Sequence, residues 1–115
     1  MILNLTPHPI RLYSNDREDG IDDLDLHLRE VIPPEPKPAR LATIELGTQA
    51  DGIELVEYGH AHDLPPMRQD VRLVVSLVVA LSLVTRGRDD LLVPYREVRN
   101  SAGTVIGCRQ LAQPV

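Results

Sequence analysis

The sequence has no Phe and no Trp, and it has only three Tyr among its 115 residues. Because aromatic side chains usually supply much of the apolar area of a core, we expect a core built from Leu, Val and Ile. The apolar fraction of 43% and the charged fraction of 25% are ordinary for a globular protein. At this length the chain fits one domain, residues 1–115, with a single core.

The chain also has a single cysteine, Cys108. A lone cysteine excludes an internal disulfide and fits a reducing compartment. No basic stretch followed by an apolar core opens the sequence, so we expect no secretory signal. The longest apolar run, residues 73–84, is interrupted by Ser76 and Ser82 and is too short to cross a bilayer. We therefore predict a cytoplasmic protein with no membrane partner.

Positive charge is scarce, because 12 Lys and Arg face 17 Asp and Glu and leave a net charge of −5. This balance argues against general binding of nucleic acids or anionic membranes, which depends on a basic field. The sequence also lacks a phosphate-binding glycine loop, a zinc ribbon and the spacing of a Ser-His-Asp triad. It therefore predicts no catalytic residue, no cofactor and no metal, and an enzyme is the least supported class.

Two prolines shape the amino-terminal stretch NLTPHPI, residues 4–10. Pro7 and Pro9 have no backbone N–H to donate, and each favours extended backbone at the residue before it, Thr6 and His8. The stretch therefore lacks two ladder donors, which suits a sheet edge or a bend. We predict a strand that turns out of its sheet here.

The remainder of the chain predicts mainly β-structure. Residues 16–38 form an acidic and then proline-rich excursion, with a short strand expected around residues 24–31. ARLATIEL and GIELVEYG alternate apolar and polar residues around the turn GTQADG, which predicts a hairpin with Gly52 at positive φ. LLVPYREVR and TVIGCRQL flank NSAG and predict a second hairpin.

The run from Leu73 to Val84 has ten apolar residues out of twelve, so we expect it to be buried. We divide it into a strand over residues 71–75, an N-cap at Ser76, and a short helix over residues 77–85 that closes at Gly87. Together the elements predict an α+β fold, a mostly antiparallel sheet of six or seven strands packed on one short buried helix. The apolar excess also predicts a homo-oligomer.

Several of these stretches occur together in one family of small proteins. They are an amino-terminal NLTPH motif, PARLA after the prolines, DLPP before VSLVVA, and a carboxyl-terminal V-R-x-x-x-G-x-(V/I)-I-G-C-R motif, here VRNSAGTVIGCR. On them the chain resembles uncharacterised proteins encoded in bacteriophages, prophages and actinobacterial mobile elements. The resemblance implies a phage or prophage setting, and thus the host cytoplasm, but no chemistry.

Five residues are candidates for binding a ligand: Thr6, His8, Arg40, Ser76 and Arg109. Thr6 and His8, close to Asn4 in the sequence, could present a hydroxyl and an imidazole beside a bent edge strand. The alternative is that Asn4 and Thr6 hydrogen-bond the backbone that the prolines leave free.

Ser76 and two arginines complete this candidate site. A helix that begins at Ser76 offers free N–H groups to a phosphate or carboxylate, although plain N-capping explains the same residue. Arg40, after the rigid prolines, and Arg109, on the last strand, are the preferred arginines, because guanidinium groups bind both anions bidentately. Surface pairing with carboxylates is the alternative for both.

The histidines and the cysteine are weaker candidates. His60, His62 and Asp63 could share a metal ion on one face of a strand, but solvent-facing histidines are the simpler interpretation. Cys108 could act as a nucleophile only with a partner base. We expect it to pack inward as a small apolar residue.

Two functional hypotheses from different classes remain. The first is a non-catalytic pocket for a small phosphorylated or nucleotide-like ligand, for instance a host immune-signalling nucleotide that an anti-defence protein would sequester. The second is a protein-interaction module that masks a host protein or serves in phage assembly. Convergence of Arg40, Ser76 and Arg109 would favour the pocket, and an exposed aliphatic patch would favour the module.

Overall fold

Eight strands, one short α-helix and one 3₁₀ turn make up the protein in a computed structural model that describes all 115 residues. The strands are β1 (Ile2–Asn4), β2 (Ile10–Tyr13), β3 (Leu28–Ile32), β4 (Arg40–Thr48), β5 (Glu54–His62), β6 (Arg72–Val74), β7 (Leu91–Arg99) and β8 (Val105–Ala112). Helix α1 (Leu77–Ala80) and the 3₁₀ turn (Leu83–Thr85) follow β6. Strands hold 44% of the residues and helix 6%. No helical element has the length and apolarity that crossing a bilayer requires.

Six strands form one mixed sheet in the order β1-β6-β7-β8-β2-β3. The pairs β1–β6, β6–β7 and β2–β8 are parallel, and only β2–β3 and β7–β8 are antiparallel. The expectation of a mostly antiparallel sheet is therefore wrong for this sheet. Parallel partners are joined by long crossovers, which local sequence patterns do not reveal. A bridge between Asn4 and Pro34 also brings the chain beyond β3 to β1, so the sheet nearly closes into a barrel.

Two aliphatic clusters fill the interior on the two sides of β6. Leu73 and Val75 belong to one cluster and Val74 to the other, because successive side chains of a strand point to opposite faces. The first cluster also contains Leu5, Ala39, Val79 and Leu91, and the second contains Ile10, Leu12, Leu92 and Cys108. Neither cluster contains an aromatic residue, although Tyr13 at the end of β2 is also fully buried.

The first predicted hairpin is present as the antiparallel pair β4–β5, which we call the arm (residues 40–62). Gly52 in its turn has the predicted positive φ, +87°. The arm strands pair only with each other, and the base of the arm contacts α1 and the 3₁₀ turn. Nearly every residue of the arm is exposed. The radius of gyration, 16.5 Å, therefore exceeds the roughly 13 Å expected for a compact chain of this length.

The predicted helix over residues 77–85 is shorter and more exposed than expected. Ser76 does cap it, since its Oγ accepts a hydrogen bond from the Val79 N–H at 3.4 Å. The helix ends after four residues, where the hydroxyls of Ser82 and Thr85 lie 3.0 and 2.9 Å from the Val79 carbonyl and donate to it. Only Val79 and Thr85 are buried here, so the prediction of a buried helix is wrong.

The stretch NLTPHPI bends as predicted, and the bend separates two strands. β1 lies beside β6, whereas β2 lies between β8 and β3. The chain thus leaves one strand position after Leu5, whose N–H still donates to the Val74 carbonyl at 2.8 Å. It enters a distant strand position at Ile10.

Candidate functional site

Asn4 and Thr6 form a hydrogen-bond network inside the amino-terminal bend. The fully buried Asn4 accepts from Thr6 N (2.9 Å) and Thr6 Oγ1 (2.6 Å) at its Oδ1. Its Nδ2 donates to the carbonyls of His8 (2.8 Å) and Ile32 (3.1 Å). These bonds satisfy backbone groups that the prolines leave without ladder partners. A structural role therefore accounts for Asn4 and Thr6.

Three of the predicted ligand residues lie on neighbouring segments of the backbone. Thr6, Arg40 and Ser76 directly follow three members of one core cluster, namely Leu5, Ala39 and Val75. The Ala39 N–H donates to the Leu5 carbonyl at 2.9 Å, so two of these segments lie side by side. The Leu5 N–H in turn donates to the Val74 carbonyl at 2.8 Å, so the three segments that carry Thr6, Arg40 and Ser76 are hydrogen-bonded neighbours.

The side chains of Thr6, His8, Arg40 and Ser76 differ in what they bind. Ser76 Oγ caps α1, and the Thr6 hydroxyl belongs to the Asn4 network. Arg40 is exposed at the start of β4 and has no ion-pair partner in the chain. His8 is exposed, and only its main-chain carbonyl is used in hydrogen bonds. Of the four residues Thr6, His8, Arg40 and Ser76, only His8 and Arg40 therefore have side chains without a polar partner in the chain.

Arg109 lies elsewhere and binds main-chain and acidic groups. Its Nη2 donates to the Arg17 carbonyl (2.6 Å) and to Asp19 Oδ1 (3.1 Å), and its Nη1 donates to the Glu97 carbonyl (2.8 Å). The Arg99 N–H and then Arg109 hold the pKa of the Asp19 carboxyl below its ordinary value. Arg109 thus attaches the acidic loop to the sheet, and it does not join Arg40 and Ser76.

Sequence reasoning missed Arg17, which organises the acidic loop (residues 16–27). Arg17 is 1% exposed, and its guanidinium lies 4.6 Å from the centroid of the Tyr13 ring. It donates to three carbonyls of the loop, those of Ile21 (2.9 Å), Asp23 (2.7 Å) and Leu26 (2.7 Å). An arginine within an acidic run is typical of a solvated surface, so no sequence signal indicated this burial.

The three main surface grooves are lined by none of the five predicted ligand residues. Two are open grooves of about 560 and 610 Å³. The third, about 280 Å³, lies between the base of the arm and α1 and is mostly apolar. Its lining includes Leu41, Tyr58, Val78, Leu81 and Leu83.

The remaining candidates show no reactive arrangement. No group of three or more His, Cys, Asp or Glu side chains that could hold a metal ion occurs in the chain. His62 faces Arg40 across the arm, and His60 is exposed. Cys108 is buried in the second core cluster, and burial raises the pKa of its thiol. Cys108 therefore packs as a small apolar residue.

Most of the exposed large apolar side chains lie on the arm and on residues 76–86, which we call the helical segment. Eleven of the twenty exposed large apolar side chains lie here: Ile44, Leu46, Ile53, Leu55, Val56, Tyr58, Leu77, Val78, Leu81, Leu83 and Val84. Leu83 is 76% exposed and Leu81 61%. Both faces of the arm contribute, because Tyr58 pairs with Thr43 whereas Ile44 pairs with Glu57 one position along the strand. We call these eleven side chains the apolar surface.

The total exposed area of the chain is large for its mass. The chain exposes 7709 Å², whereas a folded monomer of 12.8 kDa is expected to expose roughly 6,300 Å². Only 18 of the 115 residues are buried. The excess of about 1,400 Å² is larger than the roughly 800 Å² that each partner buries in an interface of standard size, and it falls in the range of obligate interfaces.

The sequence contains a signal for this surface in its longest apolar run. The apolar composition of residues 73–84 predicts burial of the whole run, and its strand half is buried. Its helical half exposes aliphatic side chains to solvent instead.

Comparison of the chain with protein-family models, with curated proteins and with solved structures found no match. The resemblance to phage-encoded proteins therefore stays a prediction.

Proposed function

We propose that this protein is a non-catalytic protein-interaction module that binds its partner through the apolar surface. The observation that carries the proposal is the concentration of exposed Leu, Ile, Val and Tyr side chains on the arm and the helical segment. Exposed apolar patches of more than a few hundred Å² typically mark interaction sites. An exposed aliphatic patch is also the feature that distinguishes this hypothesis from a ligand pocket.

The structure of the arm supports the same proposal. An isolated two-stranded hairpin is marginally stable in water, and this one leaves apolar side chains exposed on both faces. Contact with another protein would bury these side chains and stabilise the arm. In the phage setting that the sequence resemblance implies, the partner would be a masked host protein or a component of the phage assembly.

A photo-crosslinking experiment in the cells that express the protein tests the proposal. The photoreactive residue p-benzoylphenylalanine replaces Tyr58 on the apolar surface in one variant and Tyr95 on β7 in the control. The two tyrosines are matched, with exposures of 60% and 54%. We expect protein adducts at position 58 and none at position 95. Absence of any protein adduct at position 58 would contradict the proposal.

Binding of a small phosphorylated ligand is the second candidate, and one observation favours it. The segments that carry Thr6, Arg40 and Ser76 are joined by backbone hydrogen bonds, and the guanidinium of Arg40 has no ion-pair partner. A thermal-shift panel of nucleotides and inorganic phosphate tests this candidate, since a ligand stabilises the native state by RT ln(1 + [L]/Kd). Arg40→Gln should abolish any shift, whereas Arg109→Gln should leave the shift in place.

A further inference from the structure

We propose that the partner of the apolar surface is a second copy of this chain, with the arm of each copy lying across the helical segment of the other. This inference rests on the proposed function, since it names the occupant of the same surface. The arrangement is a twofold-symmetric dimer to which each copy contributes one arm and one helical segment.

The area of the surface fits a second copy. Each chain exposes about 1,400 Å² more than a monomer of its size is expected to expose. Burying an area of that size on each of two copies would remove roughly 2,800 Å², within the range of obligate homodimer interfaces and above that of transient contacts. Aliphatic side chains dominate the surface, as in obligate homodimer interfaces, which resemble a domain core cut in half.

The charges of the two parts are complementary. The distal arm, residues 44–57, carries Glu45, Asp51, Glu54 and Glu57 and no basic residue. The helical segment carries one charged residue, Arg86, and no acidic residue. None of these charged side chains has an ion-pair partner within the chain. An arm laid across the helical segment of another copy would bring acidic groups towards Arg86, whereas two distal arms laid together would repel.

Twofold symmetry also explains why both the arm and the helical segment expose apolar side chains. In an isologous dimer the arm of each copy covers the helical segment of the other. Both parts of the apolar surface are then removed from solvent. The base of each arm already lies against its own helical segment beside the apolar groove. The distal arm projects beyond that contact and remains available to a second copy.

Sedimentation velocity of the full chain gives the first test. From about 1 to about 100 µM we expect a species of twice the 12.8 kDa chain mass. Leu46→Asp on the arm and Leu83→Asp on the helical segment should each weaken dimerisation by at least about 100-fold, because each buries a carboxylate in an apolar contact. Val105→Asp, an exposed apolar residue on β8, is the matched control and should remain dimeric.

Disulfide trapping gives the second test and does not depend on the folding of aspartate variants. Chains with Leu46→Cys are mixed with chains with Leu83→Cys under mild oxidation. We expect the mixed disulfide to exceed either homodimeric disulfide. Cys108 is buried and should take no part. Predominant linkage of Leu46→Cys chains to each other would overturn this arrangement of the dimer.

The outcomes separate this inference from the proposed function. The wild-type chain could stay monomeric at about 100 µM while position 58 crosslinks a different protein. That result would overturn the proposal of a second copy and would leave the proposal of an interaction module in place. No protein adduct at position 58 overturns both. Self-adducts at position 58 together with a dimeric mass support both.

Discussion

Removing the side chain of Asn4 tests whether the amino-terminal motif is structural. Asn4 is fully buried and makes four hydrogen bonds, to the Thr6 N–H and hydroxyl and to the carbonyls of His8 and Ile32. Asn4→Ala leaves two carbonyls and one N–H without this partner. The bend between β1 and β2 would then lose the side chain that ties both of its ends together.

The expected loss of stability is large for this variant. Each buried polar group left unpaired costs about 1–3 kcal/mol, and water can reach some of these groups in the part-exposed bend. We therefore expect Asn4→Ala to lower the free energy of unfolding by about 3–5 kcal/mol. That is a large share of the roughly 5–15 kcal/mol that stabilises a typical domain, and it corresponds to a fall in Tm on the order of 10 °C.

Urea unfolding of three variants checks this reasoning. Thr6→Val removes only the hydroxyl and should cost about 0.5–1.5 kcal/mol. His8→Ala should stay within about 0.5 kcal/mol of wild type, because the imidazole is exposed and bonds to nothing. The order Asn4, Thr6, His8 is the result we expect. An Asn4→Ala chain within about 1 kcal/mol of wild type would refute the structural role of the network.

Three further predictions concern the sheet, the acidic loop and acid stability. Gly107→Ala should lower the free energy of unfolding by about 1–3 kcal/mol in urea melts, because a Cβ there would lie 2.5 Å from a backbone oxygen of β2. The control Gly59→Ala, whose Cβ would meet its nearest atom at 3.7 Å, should change it by less than about 1 kcal/mol. Arg17→Lys should raise the rate of proteolysis and of amide exchange in the acidic loop, because an ammonium cannot reproduce the planar fork of donors; unchanged protection would count against its organising role. The Arg88 hydrogen bond holds the pKa of Asp90 below its ordinary 3.8. The stabilisation from ionised Asp90 is therefore complete above about pH 4 and is lost as the pH falls through the folded-state pKa. Asp90→Asn should flatten this acid limb in a pH series of thermal melts, and an unchanged slope would contradict the assignment.

Elements whose geometry depends on adjacent residues could be predicted from the sequence. Pro7 and Pro9 remove donors and restrict φ, so the bend of NLTPHPI follows from local sterics. Gly52 was expected at positive φ because a turn there favours a residue without Cβ, and Ser76 was expected to cap a helix because its hydroxyl can reach a free N–H. The predicted hairpins follow from the alternation of their strands.

Partner choice and exposure were decided only by the tertiary structure. The parallel pairs β1–β6 and β2–β8 join segments separated by most of the chain, and no local preference encodes such pairing. The burial of Arg17 and its binding of loop carbonyls depend on β2 and the loop meeting around it. Residues 77–84 have the composition of a core, yet most of them face solvent in one chain. The hydrophobic effect favours removal of such a surface from water. Only the arrangement of the other elements determines whether the same chain or another chain covers it.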